Sequence, residues 1–303
     1  DTKSRVVTVN GGYIKGGANY RANDNSNFFF NVGQIMRPPS FDGVFPNADY
    51  DFEEADEILN ESFTSFELGY GFRSSNFKGT INAYHTVWGD RTLRRSTSID
   101  DQGVRIIYSG VEQTHQGIEG EMTWYPSSRL RIKGMVSLGD WKYTKNFQGD
   151  AYFIDNNQPA GTTGTLYLDG VKIGDAAQTV LYLGFDYKVS SKLSVDLDMM
   201  SYDNLHGRFG PLDSEFNSAN NRGSIKLPSW GTADLGATYS FNLLGYDARA
   251  RLNVNNLFDE EYLSQSQTNF HNDGGRTWNG INVENNVYFG KGTTWNLGLN
   301  INF

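Results

Sequence analysis

The sequence predicts an all-β chain, an antiparallel transmembrane β-barrel wall of about 11 strands with short turns at one end and long loops at the other. Three observations predict it. Apolar and polar residues alternate with period two in segment after segment, as in Trp295-Asn296-Leu297-Gly298-Leu299-Asn300-Ile301. A strand of that pattern shows one apolar and one polar face. The connections alternate between tight turns and long polar stretches, as in a barrel with short periplasmic turns and long extracellular loops. Finally, 38% hydrophobic residues go with 14% aromatics, 34 glycines and 7 prolines. That composition fits a barrel with aromatic girdles. It fits a large soluble β-sandwich nearly as well, so the connections decide between them.

The tight connections are Asn23-Asp24-Asn25-Ser26-Asn27, Arg73-Ser74-Ser75-Asn76, Pro126-Ser127-Ser128, Ser190-Ser191-Lys192 and Asn242-Leu243-Leu244-Gly245. Each holds turn-forming residues between two alternating segments, a hairpin signal. Between them lie long polar stretches at roughly 38–61, 96–110, 146–175, 208–228 and 259–291. Loops of this length are uncommon in compact soluble domains. The strands then fall near 5–21, 28–37, 62–73, 77–94, 112–125, 129–144, 177–189, 192–206, 229–241, 246–258 and 293–303. In 246–258, Ala248, Ala250, Leu252 and Val254 oppose Arg249, Arg251, Asn253 and Asn255. In 192–206, Val195, Leu197 and Met199 oppose Asp196 and Asp198. A dry core could not hold these charges unpaired, whereas a hydrated or plugged lumen can. The segment 5–21 alternates poorly, its glycines marking bends or bulges.

Some function classes are excluded early. No run approaches the roughly 18 apolar residues of a transmembrane helix, which a barrel does not need. There are no cysteines, hence no disulfide or thiolate chemistry. A formal charge of −9 argues against nucleic acid as a partner. No G-x-S-x-G, Walker A, G-x-G-x-x-G or H-E-x-x-H signature is present, so no enzyme is expected.

An odd strand count poses a problem, because single-chain bacterial barrels have even numbers and an open sheet leaves edges that hydrocarbon does not tolerate. Five segments resolve it by resemblance. Asn253-Val254-Asn255-Asn256-Leu257-Phe258-Asp259-Glu260-Glu261-Tyr262 resembles the "N-x-x-N-L-F-D-x-x-Y" segment of TonB-dependent outer-membrane transporters. Met36-Arg37-Pro38-Pro39-Ser40-Phe41 is similar to their "R-x-P-x-F". Glu67-Leu68-Gly69-Tyr70 with Ala83-Tyr84 and Trp88-Gly89-Asp90-Arg91 resembles a family hairpin, and Gln116-Gly117-Ile118-Glu119-Gly120-Glu121 a family strand opening. The terminal aromatic Phe303 looks like the signal read by the barrel-assembly machinery.

The family's barrel has about 22 strands around a plug. The resemblance implies that residues 1–303 supply the C-terminal part of that barrel, without plug domain, TonB box or first barrel strands. It implies a Gram-negative outer-membrane receptor that imports a scarce solute (a siderophore, cobalamin, an oligosaccharide or a peptide) and is energised through TonB. Outer-membrane lipids, lipopolysaccharide and a surface lipoprotein are the other partners in this reading. The alternatives are a scaffold barrel in a multi-protein envelope complex and a passive porin-like channel.

Candidate site residues follow. Arg131, Lys133, Arg249, Arg251, Asp196 and Asp198 are expected to face the lumen, balancing each other's charge or guiding an anionic solute. Trp278, Tyr288 and Phe289 in the last long loop either line a ligand vestibule or pack that loop on its neighbours. Aromatics near strand ends, including Trp88, Trp124, Trp141, Tyr143, Tyr187, Trp230, Phe241 and Trp295, read as interfacial girdles. No cofactor is expected. The acidic loop 42–57 (Asp42, Asp49, Asp51, Glu53, Glu54, Asp56, Glu57) reads as solvated, with a divalent cation as the other reading. Thr165–Gly174 is expected to form a small hairpin turning at Asp169-Gly170.

Overall fold

The computed structural model describes residues 4, 6–45, 58–99, 101–162, 165–210 and 213–302. It is a single antiparallel meander with long excursions at one end. The wall strands are β1 (Gly12–Arg21), β2 (Ser26–Arg37), β3 (Glu61–Arg73), β4 (Phe77–Ile99), β5 (Gln102–Ser127) and β6 (Leu130–Tyr143). After two loop strands, β7 (Gly149–Phe153) and β8 (Pro159–Thr162), the wall resumes with β9 (Thr179–Lys188), β10 (Leu193–Asp203), β11 (Trp230–Leu243) and β12 (Tyr246–Asn255). Four short loop strands follow: β13 (Leu263–Ser266), β14 (Thr277–Trp278), β15 (Ile281–Asn282) and β16 (Val287–Phe289). The last wall strand is β17 (Thr294–Asn302). Wall neighbours run β1-β2-β3-β4-β5-β6-β9-β10-β11-β12-β17, so all 11 expected strands are present in the expected order. Among the described residues, helix is confined to single turns at Phe41–Val44 and Ser214–Asn217.

The register keeps the apolar set on one face. Ala18, Phe30, Leu68, Ala83, Ile118 and Leu138 stand side by side across β1 to β6. Val195, Ala237, Leu252 and Leu297 do the same across β10, β11, β12 and β17. A slip of one residue would turn every one of these side chains to the polar face. This apolar face is bare: Trp295 is 72% exposed and Leu297 67%.

The buried apolar core lies instead among the long connections and the loop-end extension of β5. Val104, Ile106, Tyr108, Val111, Phe147, Leu166, Leu168, Val171 and Phe216 form one cluster. Leu205, Ile225, Leu227, Leu263 and Ile281 form a second.

Three local expectations are corrected. Strand β1 begins at Gly12 rather than residue 5, because beyond the Gly12–Met36 pair β2 runs into Pro38, which has no ladder N–H. The stretch 96–110 is strand, not loop: β4 and β5 continue pairing as far as Ile99 and Gln102. Its inward Val104, Ile106 and Tyr108 are held in the first loop cluster. Finally, Thr165–Gly174 does turn at Asp169-Gly170, with Gly170 at φ +80°, but it pairs with the continuation of β6 rather than with itself. Leu166 bridges Phe147 and Lys172 bridges Lys142.

Candidate functional site

The polar face of the sheet divides into two levels. Towards the short turns it carries a ladder of charges. Arg131 on β6 donates to Asp186 on β9 at 2.9 Å. Lys133 reaches Asp186 at 3.4 Å and Asp198 on β10 at 3.1 Å. Arg251 on β12 donates from both terminal nitrogens to Asp196 at 2.8 and 2.9 Å, and to Thr238 Oγ1 at 2.9 Å. Tyr182 donates to Asp198.

These pairs must cross intervening strands, and glycines let them. Gly184 stands between Lys133 and Asp198, where an added Cβ would lie 2.8 Å from Lys133 Cε. Gly236 stands beside the Arg251–Asp196 pair, where a Cβ would lie 2.6 Å from Arg251 Nη2. Five of the six expected lumen charges are thereby joined in ion pairs. Arg249 shares their face opposite Asn300 and has no ion pair among the described residues.

Towards the long loops the polar face becomes aromatic. Phe63 and Trp88 stack at 4.9 Å, and Trp141 Nε1 donates to the Tyr84 hydroxyl at 2.9 Å. Tyr202, Trp230 and Tyr262 form a continuous stack, with centroids 4.7 and 5.1 Å apart. The girdle expectation is therefore corrected for Trp88, Trp141, Tyr143 and Trp230, which share the polar face with the charges. Trp124, Tyr187, Phe241 and Trp295 lie on the apolar face. Parity was the available signal: Trp88 is an odd number of residues from Ile81 and Ala83, so it points the other way.

The motif residues close two corners of this rim. Arg37 donates to Glu61 Oε2 from Nε at 3.0 Å and Nη2 at 2.6 Å, and Trp88 Nε1 donates to the same oxygen at 3.1 Å. Pro39 packs near Gly43 in the following helical turn, 2.8 Å from where a Cβ would sit. At the other corner, Asn256 takes φ +48° and Asp259 φ +53°. Asn256 Nδ2 donates to the Glu260 and Lys291 carbonyls at 3.0 and 3.1 Å. Its backbone N–H donates to Asp234 Oδ1 at 2.8 Å, and Leu257 N–H to the Ala233 carbonyl at 2.7 Å. Thr293 N–H donates to Asp259 Oδ1 at 2.8 Å. Asn256, Leu257 and Asp259 thus clasp the last loop's two ends to β11, while Phe258 projects outward, 77% exposed.

Of the three vestibule candidates, Trp278 packs against the second loop cluster and meets the Phe289 ring edge-on at 5.1 Å. Tyr288 and Phe289 remain about half exposed on β16, paired with Gln265 and Leu263. In the neighbouring loop, Arg222 donates to Glu215 and Asp273. Those donors hold the Glu215 carboxyl down at about 2.

Among the described residues no three His, Asp or Glu side chains converge as a metal site. Residues 46–57 of the acidic loop, and Phe303, lie outside the described residues.

An antiparallel wall with one bare apolar face, one charged face and all long loops at one end has the form of a membrane-barrel segment. Residues 4–257 match the family described as TonB dependent receptor-like, beta-barrel. The chain belongs to the TonB-dependent receptor β-barrel family. Its fold is shared with the copper transporter OprC (TM-score 0.60, 13% identity, 97% of this chain and 39% of that one). The siderophore receptor PiuA from Acinetobacter baumannii also matches (TM-score 0.62, 14% identity, 94% and 35%). So does the FrpB iron transporter from Neisseria meningitidis (TM-score 0.60, 15% identity, 95% and 38%). The chain therefore spans little more than a third of these proteins. No curated protein sequence matches it. Members of the family are outer-membrane transporters rather than enzymes, and they work with TonB.

Proposed function

We propose that this chain is the C-terminal part of the barrel wall of an outer-membrane active transporter that imports a scarce solute through TonB. Siderophores, cobalamin, oligosaccharides and peptides are the candidate cargo classes. The observation that carries the reading is the division of the polar face. Its lower level is tied together by cross-strand ion pairs, as suits contact with a plug. Its upper level is aromatic and opens among the long loops, as suits a ligand vestibule.

Tyr288 and Phe289 are the vestibule residues in this proposal, and Trp278 holds their loop in place. Arg131, Lys133, Asp196, Asp198, Arg249 and Arg251 line the lumen, and Phe303 is the assembly signal. Lipopolysaccharide around the wall and a surface lipoprotein over the loops belong to the same proposal, with the acidic loop 42–57 solvated and no resident cofactor. The test is uptake of labelled candidate solutes by cells carrying the full-length receptor, with and without TonB. Uptake that needs TonB supports active import. Flux that persists without TonB points to a passive channel, and no flux in either strain points to a scaffold; both outcomes overturn the reading.

A further inference from the structure

On the polar face near the loop end, Arg91 lies over the Trp88 ring with Cζ 3.7 Å from its centroid. It is partly buried there, and a buried guanidinium calls for an acceptor. None of its N–H donors has one among the described residues. The carboxylates around it are engaged elsewhere. Glu61 accepts from Arg37 and Trp88. Glu112, next to the Arg91 cross-strand partner Val111, accepts from Thr144 and pairs with Lys145 at 3.1 Å. Asp90 accepts from Ser62 at 2.9 Å.

A second group points the same way. His115, on the same face of β5, has its Nε2 buried without a hydrogen-bond partner and its ring 5.5 Å from Trp141. A guanidinium stacked on an indole with its fork unoccupied suits a planar oxyanion better than a sphere of charge.

We infer that Arg91, held over Trp88 on the face it shares with His115 and Trp141, is a subsite for a carboxylate carried by the transported solute. This rests on the transport reading above. Arg37 and Glu61 position the indole and leave the Arg91 charge as the surplus.

The test is calorimetric titration of citrate into the purified full-length receptor in detergent, comparing wild type, Arg91→Met, Arg91→Lys and Lys192→Gln. Arg91→Met, which keeps the apolar stem, is expected to weaken citrate binding roughly tenfold to a hundredfold. Arg91→Lys should recover part of that loss, because the charge returns without the fork. Lys192→Gln, at a short turn on the opposite end, should bind as wild type. Equal citrate binding by wild type and Arg91→Met overturns the inference, as does failure of the wild type to bind citrate. A drop in thermal stability of Arg91→Met without a change in citrate binding also overturns it, assigning Arg91 to a carboxylate of the receptor itself. Because detergent titration does not involve TonB, loss of TonB-dependent uptake would sink the transport reading without touching this result.

Discussion

The wall and the loops invert the usual relation between strand and connection. In the wall, apolar side chains such as Leu252, Leu297 and Leu299 lie exposed on one face, and the strands are held by their ladders. Among the loops and the loop-end extension of β5, Val104, Phe216, Leu166 and Leu227 are almost wholly buried. The loops are therefore a packed body with its own core, and the wall is built for burial by something outside the chain. Loop variants should behave like core mutants of a soluble domain, and wall variants like membrane mutants.

Truncating Phe216 should test this most sharply. Phe216→Ala is expected to destabilise the loop body by about 3–5 kcal/mol while the wall remains folded. Hydrogen exchange of residues 101–111 and 165–174 in the full-length receptor would read it; unchanged protection there would break the comparison. Leu252→Arg should cost about 2–4 kcal/mol at mid-strand on the apolar face, seen as loss of the heat-modifiable folded band after refolding into lipid. Gly236→Ala should cost about 1–3 kcal/mol, because its Cβ would meet the Asp196–Arg251 pair.

Arg251→Gln should be milder, within about 1 kcal/mol, because Arg251 is 43% exposed; comparable loss from it and Leu252→Arg would erase the distinction between faces. Smallest of all is the acid response of the loop bridge Glu215–Arg222. The Glu215 carboxyl is held down at about 2 from an ordinary 4.5. Its contribution is thus fully present above 4.5 and is lost as pH falls through about 2. The Glu215 carboxyl signal should not titrate between pH 7 and 4.

The wall was legible because period two follows from backbone geometry and needs no partner to be seen. Its ion pairs were not: Arg251 and Asp196 could be put on one face, but which acid meets which base depends on register. The extension of β4 and β5 was hidden by Ser96, Thr97, Ser98 and Arg105, although Val104, Ile106 and Tyr108 carry the alternation onward. For Thr165–Gly174 the turn was local and readable, but its partners at Tyr143 and Phe147 are chosen by the loop core. Trp88 and Trp141 were misplaced because nearness to a strand end gives height and not face. Arg91 could not be singled out, because what distinguishes it is the engagement of Glu61, Asp90 and Glu112 with other partners.

The glycines at 184 and 236 have a mechanical consequence. Ladder hydrogen bonds resist separation of strands, yet they re-form after a slip along the strand axis. The Lys133–Asp198 link runs as a rung across Gly184, and the Arg251–Asp196 link as a diagonal past Gly236. Sliding β9 or β11 against its neighbours would put a side chain into each opening and break the link. The wall thereby gains shear stiffness where a load passing through the lumen would bear on it.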